Sequence, residues 1–98
     1  MKREVVIVGS GIAGLHCALL CAQHSRVRLI TKNEIIESSS SYAQGGIAAV
    51  LDSQDNFARH VGDTLKAGAY HNTKKTVETV VQEAPHHIAK LLQLGVQF

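Results

Sequence analysis

A glycine-rich turn near the start of the chain has the spacing of a phosphate-binding loop. Gly9, Gly11 and Gly14 form a G-x-G-x-x-G pattern directly after the apolar run Glu4 to Val8, where a helix is predicted to begin. The first glycine permits a tight turn, the second lets backbone approach a pyrophosphate, and the third lets the helix pack closely on the strand. Free N–H groups at residues 10–13 and the positive helix end would hold the phosphates. A turn without a ligand is the alternative, and the position between strand and helix favours a dinucleotide.

One part of the dinucleotide pattern is missing. The acidic residue that usually binds the adenosine ribose should lie about 20 residues further on, at the end of the second strand. The sequence has Thr31 and Lys32 there, and Glu34 comes two positions after Lys32. Either Glu34 folds back to the ribose, or backbone groups and the Thr31 hydroxyl replace it. Lys32 could meet a 2′-phosphate or be an ordinary surface charge, and because no arginine lies nearby, NADP is not favoured.

A serine run followed by two glycines allows two interpretations. Ser38 to Ser41 and the pair Gly45-Gly46 have the composition of a flexible linker. The stretch nevertheless continues into an apolar segment without a charge until Asp52. Small residues of this kind also let a ligand approach the backbone closely. The residues alone leave the choice between slack chain and binding loop open.

Two cysteines and a histidine lie on the first predicted helix. Cys17, Cys21 and His24 are spaced so that one helix face could present three metal ligands. First-row metal sites usually draw ligands from more than one element, so we predict no metal here. Two cysteines are too few for a disulfide framework, and one helical turn apart they are expected to be reduced, buried thiols.

The overall composition is that of a small soluble domain. The chain has 98 residues, 45% apolar and 18% charged, with a formal net charge of +2. Basic residues are dispersed among acidic ones and only four side chains are aromatic, which argues against nucleic-acid binding. The N-terminus superficially resembles a signal peptide, but Glu4, the regular glycines and His16 interrupt it. Because no apolar run reaches membrane-spanning length, we predict a soluble, cytoplasmic protein.

The glycine motif lies between elements typical of a parallel α/β unit. Glu4 to Val8 is predicted as a strand buried on both faces. Residues 12–24 are predicted as a helix that is apolar almost all round and therefore largely covered. Val27 to Thr31 is the second predicted strand, and strand–helix–strand over so short a span implies a right-handed parallel crossover. A further short strand is expected at Gly46 to Leu51. The fold class is α/β, a Rossmann-like βαβ unit followed by helices.

A first helical segment is predicted after the serine run. It is expected to be capped by Ser53 or Asp55 and to end near Gly68. Its apolar residues recur every four positions, which predicts one buried face. They are Phe57, Val61, Leu65 and Ala69.

A second helical segment is predicted from a cap on Asn72 or Thr73. Pro85 is expected to begin a new helical piece, because its ring is tolerated in a first turn. The chain stops at "GVQF", which is typical of the start of another strand. Residues 1–98 are therefore predicted to be the N-terminal part of one incomplete domain.

Several stretches together resemble one enzyme family. "GSGIAGL", "ITK" and "SSSSYAQGGIAAVLDSQDNFARHVGDTLKAGAYHNT" are similar to the N-terminal part of the L-aspartate oxidases, flavoproteins of the succinate dehydrogenase and fumarate reductase superfamily. The resemblance covers essentially the whole chain, and "YAQGGIAAV" followed by H-V-x-D-T-L-x-A-G is highly specific. It implies an FAD-binding domain. Members of the superfamily commonly carry Ser or Thr followed by Lys after the second strand, so it also implies that Lys32 belongs to the FAD site.

The resemblance implies a role for the serine run as well. In the family, the loop that matches Ser39 to Gly46 wraps the FAD, from near the phosphates toward the flavin ring. Succinate dehydrogenases have a histidine in this loop that bonds covalently to FAD; the matching residue here is Ser39, which implies dissociable FAD. Tyr42 and Gln44 either contact the isoalloxazine or brace the loop. The complete set of implied cofactor-binding residues is Gly9, Ser10, Gly11, Ile12, Ala13, Gly14, Lys32, Ser39, Ser40, Ser41, Tyr42, Ala43, Gln44, Gly45 and Gly46.

The same resemblance implies an activity for the full-length enzymes. The Cα–H hydride of L-aspartate passes to flavin N5, which produces iminoaspartate for NAD biosynthesis, and oxygen or fumarate takes up the electrons. The family's arginine and histidine donors lie far downstream of Phe98, so no catalytic residue is assigned and the chain alone is expected to be inactive. Quinolinate synthase is implied as a partner by family role only. No nucleic-acid or membrane partner is expected.

Two other functions compete with this interpretation. A fumarate reductase or succinate dehydrogenase flavoprotein is the first, and Ser39 in place of histidine and "YAQGGIAAV" weigh against it. A non-catalytic dinucleotide-binding or assembly module is the second. It gains weight only if 98 residues are the natural length.

Overall fold

The chain forms two separate units of structure. The computed structural model describes residues 3–98, and the chain divides into the units Met1–Gly45 and Gly46–Phe98. The first unit contains the strands and the glycine turn, and the second contains two helices that pack on each other. In residues 3–98 no helix combines the length and the apolar character that a membrane span requires.

The first unit is a parallel strand–helix–strand arrangement, as predicted. Strand β1 (Glu4–Val8) continues through the glycine turn into helix α1 (Ile12–Ala22), which leads to strand β2 (Arg26–Ile30). The two strands pair in parallel along their full length. β-branched side chains favour the extended backbone, and parallel pairing is possible because α1 provides the crossover. α1 ends two residues earlier than predicted, and β2 begins and ends one residue earlier.

Burial in this unit differs from the prediction. Among its described residues Ile7 (9% exposed) and Ser10 (5%) are buried, whereas Val6 (51%) and Val8 (81%) are exposed. The prediction that β1 is buried on both faces was therefore wrong, and α1, expected to be largely covered, contains no buried residue. The physical reason is that this two-stranded sheet has helix α1 against it, and parallel sheets need helices on both faces to be covered.

The second unit is a pair of packed helices. Helix α3 (Phe57–Ala67) contacts helix α4 (Lys74–Gln93). The buried apolar side chains are Val61 on α3, and Val81 and Ile88 on α4. Of the four residues predicted to form the buried face of α3, Val61 is buried and Leu65 is half-buried, whereas Phe57 and Ala69 are exposed and Ala69 lies beyond the end of the helix. The predicted buried face was therefore right only in part.

The start of α3 lies one residue later than predicted. Asn56 is the N-cap, and its Oδ1 accepts a hydrogen bond from the Arg59 N–H at 2.8 Å. Ser53 and Asp55 were the predicted caps, and that prediction was wrong. The Asp55 carboxylate instead accepts from the Asn56 N–H at 2.8 Å, so the Asn56 side chain is the one that serves the first turn. The end of α3 at Gly68 agrees with the prediction.

Helix α4 runs through its proline. Thr73 is the N-cap, one of the two predicted. Pro85 lies inside the helix, so the prediction of a new helical piece was wrong. A proline in a helix interior removes one backbone hydrogen bond at a cost of about 3 kcal/mol. Burial of Val81 before it and Ile88 after it stabilises the helix on both sides of Pro85.

Neither of the other two predicted strands forms. Gly46–Leu51 and "GVQF" have no strand assignment, and the described part of this unit holds no strand that could pair with them. The end of α4 is a Schellman cap. In it Gly95 adopts a φ of +94°, and the Val96 N–H donates to the Leu91 carbonyl at 3.1 Å.

Candidate functional site

A cleft beside the glycine turn is the candidate site. Its volume of about 640 Å³ lies in the range of small-molecule sites. Its walls come from three segments: the glycine turn, the residues that follow β2, and the short helix α2 (Ser39–Tyr42) with the residues before it. It therefore lies beside the carboxyl ends of two parallel strands, where α/β folds bind ligands. The lining residues are Gly9, Ser10, Thr31, Lys32, Asn33, Glu37, Ser38, Ser39 and Tyr42.

The backbone of the turn requires two of its glycines. Gly9 has a φ of +110°, a conformation that side chains disfavour. Its N–H donates to the Ile30 carbonyl at 2.8 Å, which continues the strand pairing by one bond. A Cβ on Gly14 would collide with the Gly9 carbonyl oxygen. These positions show the tight turn and the close helix approach that the motif predicts.

The serine helix reaches the start of α1. Gly11 is the N-cap of α1 and provides no side-chain acceptor, while the N–H groups of Ile12, Ala13 and Gly14 have no acceptor within the helix. Ser40 Oγ accepts from the Ile12 N–H at 3.0 Å, across 28 residues of sequence. A Cβ on Gly11 would stand 3.5 Å from this Oγ. The hydroxyl therefore lies over the turn predicted to bind phosphate.

A hydroxyl pair joins the glycine turn to the end of β2. Ser10 Oγ and Thr31 Oγ1 form a hydrogen bond of 3.1 Å, which satisfies the buried Ser10 hydroxyl. Thr31 occupies the place where the ribose-binding acid was expected. The exposed Lys32 follows it in the cleft wall. Hydroxyls and an ammonium group on one wall suit an anionic ligand.

The carboxylate in the cleft wall belongs to Glu37. Glu34, the candidate that would have had to fold back, does not line the cleft. A turn closed by the Glu37 N–H on the Glu34 carbonyl, at 2.9 Å, carries the chain round to Glu37. The Tyr42 hydroxyl then donates to Glu37 Oε1 at 2.7 Å. This bond raises the pKa of Tyr42, because only the protonated phenol can donate it.

The serine run is ordered structure and not slack chain. Ser38 caps helix α2: its Oγ accepts from the Ser41 N–H at 3.2 Å, and the two hydroxyls are also 3.2 Å apart. Tyr42 at the end of the helix braces the loop through Glu37, which is one of the two roles considered for it. The segment thus forms a cleft wall held by its own side chains.

The remaining predicted residues lie outside the cleft wall. Gly46 belongs to the second unit. In the first unit, nine predicted residues do not line the cleft: Gly11, Ile12, Ala13, Gly14, Ser40, Ser41, Ala43, Gln44 and Gly45. Ser40 still acts on the site through its bond to Ile12. The assignment of all these residues to a cofactor stays a prediction.

Three lining residues were missed as site residues: Asn33, Glu37 and Ser38. The dinucleotide pattern places the acid near the end of β2, and Glu37 lies beyond it in the connection to α2. An available signal was that Ser38 can cap a short helix, which here ends at Tyr42, and Glu37 immediately precedes that cap.

The cysteine pair lies elsewhere on α1 and offers no metal site. Cys17 and Cys21 are free thiols with sulfur atoms 4.0 Å apart. Cys17 is exposed and Cys21 is half-buried, so the expectation that both thiols are buried was wrong. The hydrogen bond with Cys17 is the main cause that raises the pKa of Cys21, and partial burial is the second cause. Across residues 3–98, no three His, Cys, Asp or Glu side chains are grouped to hold a metal ion, the set with His24 included.

Comparison with known sequences points to one family. The family model described as FAD binding domain matches residues 4–98. L-aspartate oxidase 2-b, chloroplastic, from Nicotiana tabacum is 47% identical over 95 residues. The L-aspartate oxidases of Synechocystis sp. and Yersinia pestis are 46% and 44% identical. Each alignment covers 97% of this chain and 15%, 17% and 18% of the three relatives. The chain thus spans less than a fifth of the length of these curated relatives.

A solved structure has the same fold. A mutant of the E. coli quinol fumarate reductase superimposes with a TM-score of 0.86 at 32% sequence identity. The match covers 96% of this chain and 16% of that chain. It confirms the predicted α/β fold class, with two parallel strands followed by helices.

Proposed function

The chain belongs to the family of FAD binding domains, and from this membership we propose that the cleft holds the ADP half of FAD. The observation that carries the proposal is the meeting of the glycine turn, the end of β2 and the serine helix in one cleft. Two hydrogen bonds, Ser10 to Thr31 and Ile12 to Ser40, join these segments.

The residues present fit such a cofactor. Gly9 and Ser10 of the glycine turn line the cleft, and the first turn of α1 that follows them has N–H donors for a diphosphate besides the Ile12 N–H, which is bonded to Ser40. The close approach of Gly14 to the Gly9 carbonyl sets the helix directly behind the turn. Lys32 and the hydroxyls of Thr31 and Ser39 line the same cleft. FAD, when bound, supplies the hydride-accepting flavin; the work of these side chains is to bind and orient the nucleotide.

The cofactor is held without a covalent bond in this proposal. Ser39 stands at the position that would need a histidine for a histidyl link. A serine hydroxyl can donate and accept hydrogen bonds. FAD is therefore expected to dissociate intact when the chain is denatured.

For the complete protein, we propose oxidation of L-aspartate to iminoaspartate in NAD biosynthesis, with oxygen or fumarate as the electron acceptor. Support comes from relatives named L-aspartate oxidase at 42–47% identity. The likeness to a quinol fumarate reductase, at 32% identity, favours a fumarate reductase-type flavoprotein as the second candidate. The residues that bind aspartate, and any contact with quinolinate synthase, are proposed to lie outside this chain.

The proposal of FAD binding is tested by titrating FAD into the purified chain and following flavin fluorescence. We expect saturable binding, and free FAD in the supernatant after acid precipitation. Lys32→Gln should weaken binding about tenfold, because it removes a charged donor beside the nucleotide. Lys90→Gln, the same change at an exposed lysine of α4, is the matched control and should bind as the wild type does. Absence of saturable binding by the wild-type chain would contradict the proposal.

The proposal that this chain binds FAD while the aspartate-binding residues lie outside it has its own test. The chain loaded with FAD should produce no hydrogen peroxide when L-aspartate is added. Peroxide formation that depends on L-aspartate would show that the substrate site is present within residues 1–98.

A further inference from the structure

The cleft contains a carboxylate although the position that usually supplies it is occupied by Thr31. In the dinucleotide pattern an acid at the end of the second strand accepts hydrogen bonds from the adenosine ribose. Among the residues that line this cleft, Glu37 is the acid. It lines the same cleft as Thr31 and Lys32, but it comes from the segment before α2 and not from the end of β2.

Glu37 is held in a defined position. The Tyr42 hydroxyl donates to its Oε1 at 2.7 Å, and the Glu37 N–H closes a turn on the Glu34 carbonyl. Tyr42 belongs to α2, which is fixed by the Ser38 cap and by the Ser40 bond to the start of α1. A carboxylate has about four lone-pair sites, so the single bond from Tyr42 leaves it able to accept others.

We infer that Glu37 accepts hydrogen bonds from the 2′ and 3′ hydroxyls of the adenosine ribose, with Tyr42 as its positioning residue. This inference rests on the proposed FAD site and names the residue that recognises its sugar. A carboxylate here also disfavours a nucleotide with a 2′-phosphate, because two negative charges would face each other. The cleft is thereby specific for an unphosphorylated ribose even though Lys32 lies next to it.

The test measures how far the 2′ hydroxyl of the ribose contributes to binding. ADP and 2′-deoxy-ADP are used to displace FAD from the wild-type chain, from Glu37→Gln and from Glu34→Gln. The wild-type chain should bind ADP about tenfold more tightly than 2′-deoxy-ADP, since a hydrogen bond to a charged acceptor is lost. In Glu37→Gln this ratio should fall toward one. Glu34→Gln, an identical change outside the cleft wall, should keep the wild-type ratio.

Tyr42→Phe provides a second variant that leaves the carboxylate in place. It should reduce the ratio by less than Glu37→Gln does, because Glu37 remains but is no longer held. Circular dichroism of each variant checks that the chain is folded.

The outcomes distinguish a failure of the Glu37 assignment from a failure of the proposed FAD binding. If Glu37→Gln keeps the full ratio, or weakens ADP and 2′-deoxy-ADP equally, the ribose assignment is overturned while FAD binding stands. If ADP displaces no FAD from the wild-type chain, the adenosine site itself is refuted, and the assignment of Glu37 is refuted with it.

Discussion

Each of the two units of this chain is stabilised by a different kind of internal contact. In the first unit the cleft is built from a backbone turn and from hydroxyl bonds such as Ser10 to Thr31, and its buried residues are Ile7 and Ser10. In the second unit α3 and α4 meet through the apolar side chains Val61, Val81 and Ile88. One unit is organised around positions where side chains must be small or polar, and the other around positions where they must be large and apolar.

This difference predicts where each unit is vulnerable. Apolar contacts are lost when a side chain is shortened, in proportion to the area and volume removed. A backbone turn is instead disrupted by the addition of a single carbon atom. Pairs of matched substitutions can therefore distinguish the two kinds of construction.

The largest effect is expected from Ile88→Ala in α4. Ile88 is 8% exposed, and removing a buried isoleucine side chain costs about 3 kcal/mol of stability. Leu92→Ala on the same helix is the control, because Leu92 is 54% exposed and should lose less than about 1 kcal/mol. The stability losses of both variants are measured by denaturant unfolding, with hydrogen exchange of the α4 amides as the probe. Equal losses in the two variants would show that burial does not govern this unit.

A smaller loss of stability is expected when a side chain is added at Gly14, in contrast to the loss expected when one is removed at Ile88. Alanine there places a Cβ against the Gly9 carbonyl oxygen, which we expect to destabilise the first unit by about 2 kcal/mol. It should also lower FAD affinity, because the turn must shift.

Gly62 in α3 is the matched control for Gly14. A Cβ at Gly62 would meet nothing within 4 Å, so Gly62→Ala should stabilise its helix by up to about 1 kcal/mol. Opposite signs for the same chemical change, read from amide exchange in α1 and α3, are the expected result. Two effects of the same sign would contradict the backbone account of the turn.

The sequence predicted the elements that local signals determine. β1, α1 and the parallel pairing with β2 follow from a β-branched run, a glycine motif and a second run of alternating apolar residues, all within the first 30 residues. The same holds for Gly9 and Gly14, whose roles depend on backbone geometry a few residues away. The exposure of β1 at Val6 and Val8 and the unbroken path of α4 through Pro85 were not predicted, because both depend on packing between elements distant in sequence.

The candidate site was predicted in part for the same reason. Lys32, Ser39 and Tyr42 do line the cleft with the glycine turn. Glu37 was missed because its position depends on the turn from Glu34 and on the hydrogen bond from Tyr42. No pattern of residue spacing predicts either of these contacts. The strand expected at Gly46–Leu51 failed because an apolar run becomes a strand only where a partner strand is available.

The smallest effect tests whether a polar bond holds the cleft wall. In a Tyr70→Phe background, Tyr42 is the remaining tyrosine, and its phenol should ionise above its ordinary pKa of about 10 because it donates a hydrogen bond to Glu37. Since this pKa is higher in the folded chain than in the unfolded one, the stability that the bond contributes is complete below the ordinary pKa. It is lost as the pH rises through the raised pKa. Adding Glu37→Gln should lower the midpoint of the tyrosinate absorbance titration, and an unchanged midpoint would mean that Glu37 is held by something other than Tyr42.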